Sequence, residues 1–388
     1  MLKIALSLIT LGILAACSVS NKELSYTAPE NYFIDTISRT WNYDMTARYT
    51  GGGDLLAYRN DIWSLTNLCG ANMLVFTNIA KDSVIELMLM NPDCGKVHPY
   101  MNEEGIYVIL QDGRVLLYPH GSKYPSLKYN LLTDIPAFKE SGLAPEWYKA
   151  GSDEKIRTEN DWMYFRVNQN YDDSLGKYSN YMVGFPTTAK LNLKTKEVQF
   201  FGSMPKYVAD GNYGHLSMLY DLYVGDSVIY STPIHGNITV INTQSGKAST
   251  VKSSSDYQRG RVEKFEYKKD IPLTEQRGSK AEHSTYSAMY EPLFYNPYND
   301  HYYRVFHPAM EKHSEDGLLN TEFNKFNILM IYNKDLKLID EVVLPVRSGR
   351  TTKLWPVQNG VEFVISNSDL HTITNKSVTF KLLRITEK

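Results

Sequence analysis

The sequence predicts an all-β protein, a β-propeller of six blades with surface inserts. Aromatic residues are abundant, with 29 tyrosines, 14 phenylalanines and 5 tryptophans among 388 residues, and aromatic side chains favour strands. Short alternating or apolar runs bounded by turn residues recur along the chain and are typical of antiparallel sheets. These runs form successive four-stranded meanders, the pattern of a propeller in which each sheet is buried against its neighbours.

The amino-terminal residues predict export. After Lys3, an apolar run over residues 4–13 is too short to span a bilayer permanently and has the anatomy of a secretory signal. The next residues, Leu14-Ala15-Ala16-Cys17, resemble the lipobox of bacterial lipoproteins. This resemblance implies that residues 1–16 are removed and that Cys17 is lipidated. An ordinary signal peptide with a chance cysteine is the alternative.

A lipidated Cys17 would make the membrane a partner through acyl chains alone. Residues 17–30 are polar and lack periodicity, so we expect a lipidated tether there and a single β-propeller domain over residues 31–388. Because Ser18 rather than an aspartate follows the cysteine, the resemblance favours the outer membrane of the cell envelope. Whether the protein faces the periplasm or the cell surface stays open.

The charge balance argues against nucleic acid as a partner. The formal net charge is −2, and loss of Lys3 with the leader would lower it by one unit. Nucleic-acid binding needs a basic patch, and the sequence contains no cluster of basic residues.

Lipidation of Cys17 would leave two thiols, Cys69 and Cys94. In an exported protein these two can pair, and the closed loop would then stabilise the fold by about 3 kcal/mol on the chain-entropy model. Two buried free thiols are the alternative.

Six outer hairpin turns define the predicted blades, near residues 81, 122, 195, 245, 335 and 375. The clearest meander spans residues 226–251, with turns expected at 235–237 and 243–247. A large β-sandwich or two stacked β domains are the rival architectures. Two segments differ in kind: residues 134–150 could hold a turn or two of helix, and the charged residues 253–288 are expected to form a long surface excursion. We expect both to cap one face.

The lipobox, the six meanders and the segment Asn296-Pro-Tyr-Asn-Asp-His-Tyr-Tyr-Arg304 together resemble a family of Bacteroidota lipoproteins of uncharacterised function. The resemblance covers nearly the whole mature chain and implies export and a six-bladed β-propeller. It brings no catalytic residues with it.

The same resemblance implies candidate O-glycosylation sites, because Asp-Ser/Thr-aliphatic tripeptides are similar to the acceptor used on exported proteins of that phylum. The acceptor hydroxyls would belong to Thr36, Ser83, Ser174 and Ser227. Ordinary turn-to-strand boundaries, where Asp and Ser are common, are the alternative.

The stretch Tyr295–Met310 is the candidate ligand site. If residues 297–300 form a turn, the following strand alternates, with Tyr302, Arg304 and Phe306 on one face and Tyr303, Val305 and His307 on the other. Packing between blades already explains aromatic residues on both faces. Arg304 is the exception, since buried guanidinium groups need partners. It either bonds carboxylate or carbonyl oxygens between blades, or it faces the channel and holds an anionic or hydroxyl-rich ligand together with Tyr302 and Tyr298.

No motif in the sequence assigns a reaction. The nine histidines have no metal-ligand spacing, Gly51-Gly52-Gly53-Asp54 lacks the Lys-Ser/Thr of a phosphate loop, and no nucleophile elbow is present. The sequence therefore predicts no metal site and leaves any cofactor unknown.

Three functions stay open. The favoured one is a non-catalytic β-propeller on the cell envelope that binds a glycan, another ligand or a protein partner through aromatic and charged inserts. A propeller enzyme of the lactonase or glycan-cleaving type, with a metal at the channel mouth, is the first alternative. A scaffold subunit of an envelope complex is the second.

Overall fold

A computed structural model describes the polypeptide from residue 29 to residue 388, with gaps, and the structural account below concerns the described residues alone. These are residues 29–42, 55–58, 61–68, 73–78, 84–88, 97–101, 103–110, 113–145, 156–159, 161–169, 185–203, 205–209, 211–259, 262–266, 268, 270–272, 275–345, 354–364, 371–373 and 377–388. Of the predicted features, the leader, most of the tether, Cys17, Cys69, Cys94, Ser83 and Ser174 lie outside them.

The described strands form six antiparallel sheets, numbered here in chain order. Sheet 1 contains β2 (Leu55–Tyr58), β3 (Asp61–Leu68), β4 (Met73–Asn78) and β5 (Val84–Met88). Sheet 2 contains β6 (Val97–Met101), β7 (Gly105–Leu110), β8 (Arg114–Pro119) and β9 (Leu127–Asn130). Sheet 3 contains β10 (Leu143–Pro145), β11 (Ile156–Glu159), β12 (Trp162–Gln169), β13 (Thr188–Asn192) and β14 (Val198–Phe201).

The second half of the chain repeats this arrangement. Sheet 4 contains β15 (Tyr220–Val224), β16 (Ser227–Thr232), β17 (His235–Asn242) and β18 (Ala248–Val251). Sheet 5 contains β19 (Met289–Tyr290), β20 (Phe294–Asn296), β21 (His301–His307), β22 (Ile328–Tyr332) and β23 (Leu338–Val343). Sheet 6 contains β24 (Leu354–Val357), β25 (Gly360–Val364), β26 (His371–Ile373), β27 (Ser377–Glu387) and the amino-terminal β1 (Tyr32–Asn42).

Helices are few and short among the described residues. They are α1 (Leu131–Asp134), α2 (Pro136–Ser141), α3 (Lys206–Ala209) and α4 (Arg277–Tyr286), with 3₁₀ turns at Gly214–Leu216 and Glu322–Asn324. The Asn130 side chain caps α1, because its Oδ1 accepts the Leu132 N–H at 2.8 Å. No described helix has both the length and the apolar character needed to cross a membrane.

The prediction of an all-β protein is confirmed, and four of the six predicted outer turns, near residues 122, 195, 245 and 335, lie where the third strand of a sheet reverses into the outer strand. The predicted turn near residue 81 lies outside the described residues. The sixth is different. The predicted turn near residue 375 also lies outside the described residues, and the strand that follows it, β27, is the third strand of sheet 6, whose outer strand is β1. Turn residues mark a reversal in the chain, but they carry no information about a strand supplied from the other end of the sequence.

The turn expected at 235–237 was misplaced. The chain reverses at Pro233 and Ile234, and β17 already begins at His235. Gly236 serves a different purpose: a Cβ there would lie 2.4 Å from the Ser254 Cα, so glycine is needed for a close approach of two backbones.

Both predicted inserts contain helix. Residues 134–150 were expected to hold a short helix, and α1 and α2 lie at the start of that segment, beginning three residues earlier. Residues 253–288 form more than a surface excursion, because they include α4 and bury Val262 and Phe265. Their many charges concealed this packing.

The apolar core lies between successive sheets. One cluster joins sheets 1 and 2, a second joins sheets 2 and 3, a third runs from sheet 3 through sheet 4 to sheet 5, and a fourth joins sheets 5 and 6. We call the strands at the edge opposite the outer strand the first strands of a sheet, so that sheet 3 has β10 and β11 there and sheet 5 has β19 and β20. First strands of neighbouring sheets also touch, β2 with β6, β6 with β11, β15 with β20, and β20 with β24. The sheets therefore stack face to face in chain order.

Pairing between the two ends of the chain completes sheet 6. β1 pairs with β27 over its whole length, from Tyr32 opposite Glu387 to Asn42 opposite Ser377. The Tyr32 side chain is buried in the cluster between sheets 5 and 6. The amino-terminal strand is thus part of the folded core.

We expect a chain that begins at residue 43 to be less stable than one that begins at residue 29. Loss of β1 removes an eleven-residue strand and the buried Tyr32 side chain, and each kcal/mol lost lowers the melting temperature by about 2–4 °C in a domain of 150–250 residues. Thermal unfolding of the two chains measures the effect, which we expect to reach several degrees. Equal melting temperatures would contradict a structural role for β1.

Candidate functional site

The stretch Tyr295–Met310 spans the turn between β20 and β21 and most of sheet 5. The predicted alternation is present: Tyr302 and Phe306 belong to the cluster shared with sheet 4, whereas Tyr303 and Val305 belong to the cluster shared with sheet 6. Both faces of β21 are therefore covered by neighbouring sheets. Aromatic residues on both faces are what that packing requires.

Arg304 is completely buried, with 0% of its surface exposed. Its Nε donates to the Glu291 carbonyl at 2.7 Å, and its Nη2 donates to the Thr232 carbonyl of sheet 4, also at 2.7 Å. The guanidinium carbon lies 4.5 Å from the centroid of the Tyr290 ring, a cation–π contact. Of the two arrangements considered for this residue, the structure has the bonds to backbone carbonyls between sheets.

The three predicted ligand-binding residues do not meet in one exposed site. Tyr302 is 6% exposed, and its ring centroid lies 5.0 Å from that of Tyr295. Tyr298 is 45% exposed on the turn between β20 and β21. The reason is the strand alternation itself, which turns Tyr302 and Arg304 into the interface with sheet 4 and leaves only the turn residue in solvent.

Glu291 and His307 form a second buried pair beside Arg304. The Glu291 Oε1 lies 3.3 Å from the His307 Nε2, and the two side chains are 4% and 1% exposed. The His307 Nδ1 is 3.3 Å from the Phe326 carbonyl oxygen. Glu291 therefore serves two neighbours, with its backbone carbonyl bonded to Arg304 and its carboxylate beside His307.

Lys325 joins this buried group to helix α4. Its Nζ donates to the carbonyls of Ser284 and Ser287 at 3.2 and 2.6 Å. Carbonyls in the last turn of a helix have no partner within the helix and carry partial negative charge, so a buried ammonium group stabilises that end. Lys325 thus holds the carboxyl end of α4 against sheet 5.

A small cavity adjoins these groups, lined by Ser284, Thr285, Met289, His307, Glu322 and Lys325. It lies where α4 meets the connection between β21 and β22. The imidazole and carboxylate beside it are the types of group that transfer protons in enzymes. Here, however, Arg304 and Lys325 bond backbone carbonyls and Glu291 is deeply buried. These contacts connect the insert that contains α4 to sheet 5.

Sequence reasoning missed Glu291 and Lys325. Glu291 was detectable as a charged residue within the apolar segment Ala288–Phe294, because an isolated charge in such a segment needs a buried partner. Lys325 gave no such signal, since it follows a polar segment and its partners lie about forty residues away in the chain.

Two of the four candidate O-glycosylation residues have described positions. The Thr36 side chain is exposed on β1, and Ser227 is half-buried as the first residue of β16.

Among the residues that the structure describes, no three His, Cys, Asp or Glu side chains come close enough together to hold a metal ion.

The interface of sheets 3 and 4 holds a polar contact of its own. The Arg166 Nη1 lies 3.7 Å from the Asp221 Oδ1, and the Thr187 hydroxyl donates to the Tyr230 hydroxyl oxygen at 3.0 Å. Burial of Tyr230 raises the pKa of its phenol to about 12. The neutral phenol is therefore the form that this interface stabilises.

We expect Arg304→Ala to lower the free energy of unfolding by about 3 kcal/mol, because it strands two buried carbonyls that now accept hydrogen bonds from a charged donor. Urea unfolding measures the change. Arg277→Ala, which removes an exposed arginine from α4, is the control and should change stability by no more than about 0.5 kcal/mol. Equal effects of the two substitutions would contradict the role assigned to Arg304.

A second prediction concerns alkaline pH and Tyr230. Because the folded pKa of about 12 exceeds the ordinary value of about 10, its stabilisation is complete below pH 10 and is lost as the pH rises through 12. Tyr230→Phe cannot ionise, so its stability deficit relative to the native chain should shrink by about 1.4 kcal/mol between pH 8 and pH 11. Urea unfolding at both pH values tests this, and a constant deficit would contradict it.

Similarity to known proteins agrees with this architecture. Superposition on a member of the DUF4221 family from Bacteroides vulgatus gives a TM-score of 0.62 at 11% identity, covering 93% of this chain and 100% of the other. A protein from Bacteroides fragilis that is described as exported gives a TM-score of 0.51 at 11% identity, covering 92% and 95% of the two chains. At these identities the likeness concerns the fold alone. No curated protein matches the sequence.

The sequence itself supplies the family. Residues 126–342 match the profile of a domain of unknown function, DUF4221. This segment runs from the last strand of sheet 2 to β23 of sheet 5 and includes Arg304, Glu291 and both helical inserts. Because the match spans more than half of the 388 residues, the chain belongs to the DUF4221 family.

Proposed function

We propose that this protein is a lipid-anchored binding protein of the bacterial cell envelope, a six-bladed β-propeller whose inserts contact a ligand or protein partner without catalysis. The anchor is the Cys17 of the lipobox, and the most suitable membrane is the outer one. The likeness in fold to a Bacteroides fragilis protein that is described as exported supports this location.

The way the sheets stack supports a ring of six blades. Neighbouring sheets bury apolar clusters between them in chain order, and their first strands touch. Sheet 6 takes its outer strand from the amino terminus, which ties the last sheet to the start of the chain. In a propeller, this exchange closes the ring and leaves only short outer edges exposed.

The observation that supports a binding function is that the tether and the inserts lie at opposite ends of the sheets. In a meander, successive connections alternate between the two ends of a sheet. The connections between first and second strands, such as residues 225–226 and 297–300, are tight turns. The long ones, residues 252–288 and 308–327, enter a first strand or follow a second strand and so lie at the opposite end.

The tether joins the fold at the end with the tight turns. Lys388 donates its N–H to the Asn31 carbonyl at 3.0 Å, and the Glu387 N–H donates to the carbonyl of Asn359, in the turn between β24 and β25. Beside them, the His301 Nδ1 lies 3.0 Å from the Glu387 Oε1. An anchor at Cys17 would therefore leave the inserts pointing away from the point of attachment, where a partner can reach them.

The inserts present apolar side chains on a rigid support. We call residues 275–288 and 308–327 the insert platform. The Tyr286 hydroxyl donates to the Asn320 carbonyl at 2.9 Å, and Lys312 pairs with Glu282 of α4. From this support Leu318, Leu319 and Phe323 project with 70%, 58% and 51% of their surface exposed. Preorganised apolar side chains contribute to binding because little conformational entropy is lost.

The anchor is tested by the mass of the mature protein expressed in a bacterium with outer and inner membranes. We expect a chain that begins at Cys17 and carries acyl groups, and we expect Cys17→Ala to release the protein from the membrane fraction. A mature chain that begins elsewhere and carries no lipid would overturn the anchor and leave the binding function untouched.

Binding is tested by thermal unfolding of the soluble chain from Ser18 with panels of glycans, small anions and metal ions. Ligand at about 100 times its dissociation constant stabilises a protein by about 2.7 kcal/mol. We expect a ligand-dependent shift that Leu318→Ala/Phe323→Ala removes. The control, Ile339→Ala, truncates an exposed apolar residue on β23 outside the platform and should retain the shift. A shift that both variants retain would place binding elsewhere, and a shift abolished by EDTA and restored by a cation would favour the enzyme alternative.

A further inference from the structure

Three exposed apolar side chains of the insert platform lie within six residues of one another. Leu318 and Leu319 belong to a short hairpin and Phe323 to the 3₁₀ turn Glu322–Asn324, and each side chain is more than half exposed. The other large apolar side chains that are exposed in the described part of the chain occur singly, at Phe33, Tyr124, Phe185, Tyr298 and Ile339. Single apolar residues are normal on a surface, whereas a group of them marks an interaction site.

Hydrogen bonds hold the backbone of this hairpin in one conformation. The Ser314 N–H donates to the Leu318 carbonyl at 2.8 Å, and the Gly317 N–H donates to the Ser314 carbonyl at 2.9 Å. Gly317 has a φ of +76°, a left-handed conformation that glycine adopts without strain. The hairpin therefore presents Leu318 and Leu319 in a fixed geometry, which lowers the entropy lost when a partner binds.

The exposed surface of the insert platform is acidic. Residues 275–288 and 308–327 expose six carboxylates, on Glu275, Glu282, Glu311, Glu315, Asp316 and Glu322. The exposed basic residues of the platform are Arg277 and Lys312, and Lys312 pairs with Glu282. Its other two lysines, Lys280 and Lys325, are buried. The exposed side chains therefore carry a formal charge of −4 with histidine neutral, on a protein whose total formal charge is −2.

This negative charge lies next to the apolar side chains. Glu315 and Asp316 lie in the turn that precedes Leu318, and Glu322 directly precedes Phe323. A partner that covers the apolar side chains must therefore also approach these carboxylates. Complementary charge across an interface speeds the encounter and excludes partners of the wrong sign.

The chemistry of the platform selects among the classes of partner. Anionic ligands and the anionic surface of a membrane would be repelled by its charge. Sugars are suited to Tyr and Trp, which combine an apolar ring with a hydrogen-bonding group, whereas the exposed apolar side chains here are two leucines and a phenylalanine. Apolar side chains of a basic polypeptide satisfy both the leucines and the carboxylates.

We propose that the insert platform binds a basic, amphipathic segment of a partner protein, whose apolar side chains cover Leu318, Leu319 and Phe323 and whose Lys or Arg side chains face the surrounding carboxylates. The proposal rests on the binding function proposed above, for which it names the class of partner, and it does not depend on the lipid anchor.

The first test is the binding of a labelled synthetic peptide to the soluble chain from Ser18, followed by fluorescence anisotropy. The probe is a short amphipathic peptide of leucine and lysine, and its two controls replace lysine by glutamate or leucine by serine. We expect micromolar binding of the probe and at least about 10-fold weaker binding of both controls. Binding should also weaken at least about 10-fold as the salt rises from about 0.01 M to about 1 M, because the Debye length falls from about 30 Å to about 3 Å.

The second test places the peptide on the platform. Leu318→Ala/Phe323→Ala should raise the dissociation constant at least about 10-fold, because the apolar contact is lost. The control Ile339→Ala truncates an exposed apolar residue on β23 and should retain the native affinity to within about 2-fold.

The third test concerns charge. Glu315→Gln/Asp316→Asn/Glu322→Gln should weaken binding at least about 10-fold at low salt and reduce its salt dependence. The matched control, Glu140→Gln/Glu197→Gln/Asp335→Asn, removes three exposed carboxylates outside the platform and should change the affinity by no more than about 3-fold. The melting temperature of each variant shows that the fold is retained.

A basic segment of this chain is the competing occupant. Residues 346–353, which lie outside the described residues, join β23 to β24 and contain Arg347, Arg350 and Lys353. Peptide binding by Arg347→Ser/Arg350→Ser/Lys353→Ser but not by the native chain would assign the platform to that segment and overturn the proposal.

The proposal is also overturned if the three peptides bind equally, or if the platform variants bind the probe as well as their controls do. A glycan-dependent thermal shift that the platform variants remove, without peptide binding, would retain the binding function and overturn only the class of partner. Absence of both the peptide binding and any thermal shift would overturn the two together.

Discussion

The structure depends on one constraint, which is that its sheets have two apolar faces and must cover both. β21 illustrates this, because Tyr302 and Phe306 pack toward sheet 4 while Tyr303 and Val305 pack toward sheet 6. A single sandwich would leave one face of such a sheet in water. Stacking sheets in chain order satisfies every inner sheet, and only the outer edges then need protection. The abundance of tyrosine is a consequence, since large aromatic side chains fill the wide space between sheets.

The same constraint decides what buried polar groups can do. Arg304, Glu291, His307 and Lys325 lie where sheets and inserts meet, and each contacts backbone carbonyls or another member of the group. A buried charge without such partners would cost several kcal/mol. These side chains are of the types found in active sites, but their contacts connect an insert to a sheet. They hold the insert platform on sheet 5.

The two ends of the sheets hold different kinds of connection. Tight turns, the start of β1 and Lys388 lie at one end, and the long inserts lie at the other. This division follows from the meander, because residues can be added to connections at one end without disturbing the pairing at the other. The exchange of β1 into sheet 6 adds a second consequence. It gives sheet 6 an eleven-residue outer strand, the longest among the described sheets.

The sequence by itself determined the strand periodicity, four outer turns that the structure describes, the alternation along β21 and the presence of helix near residue 134. All of these depend on neighbours a few residues apart, whose side-chain directions follow from local geometry. Only the tertiary structure decided that β1 is the outer strand of sheet 6, that Gly236 allows a close backbone approach, and that residues 253–288 are packed. It also decided that Arg304 bonds the carbonyls of Glu291 and Thr232, the second of them 72 residues away in the chain. Such contacts depend on which sheets come together, and residue order alone does not specify that.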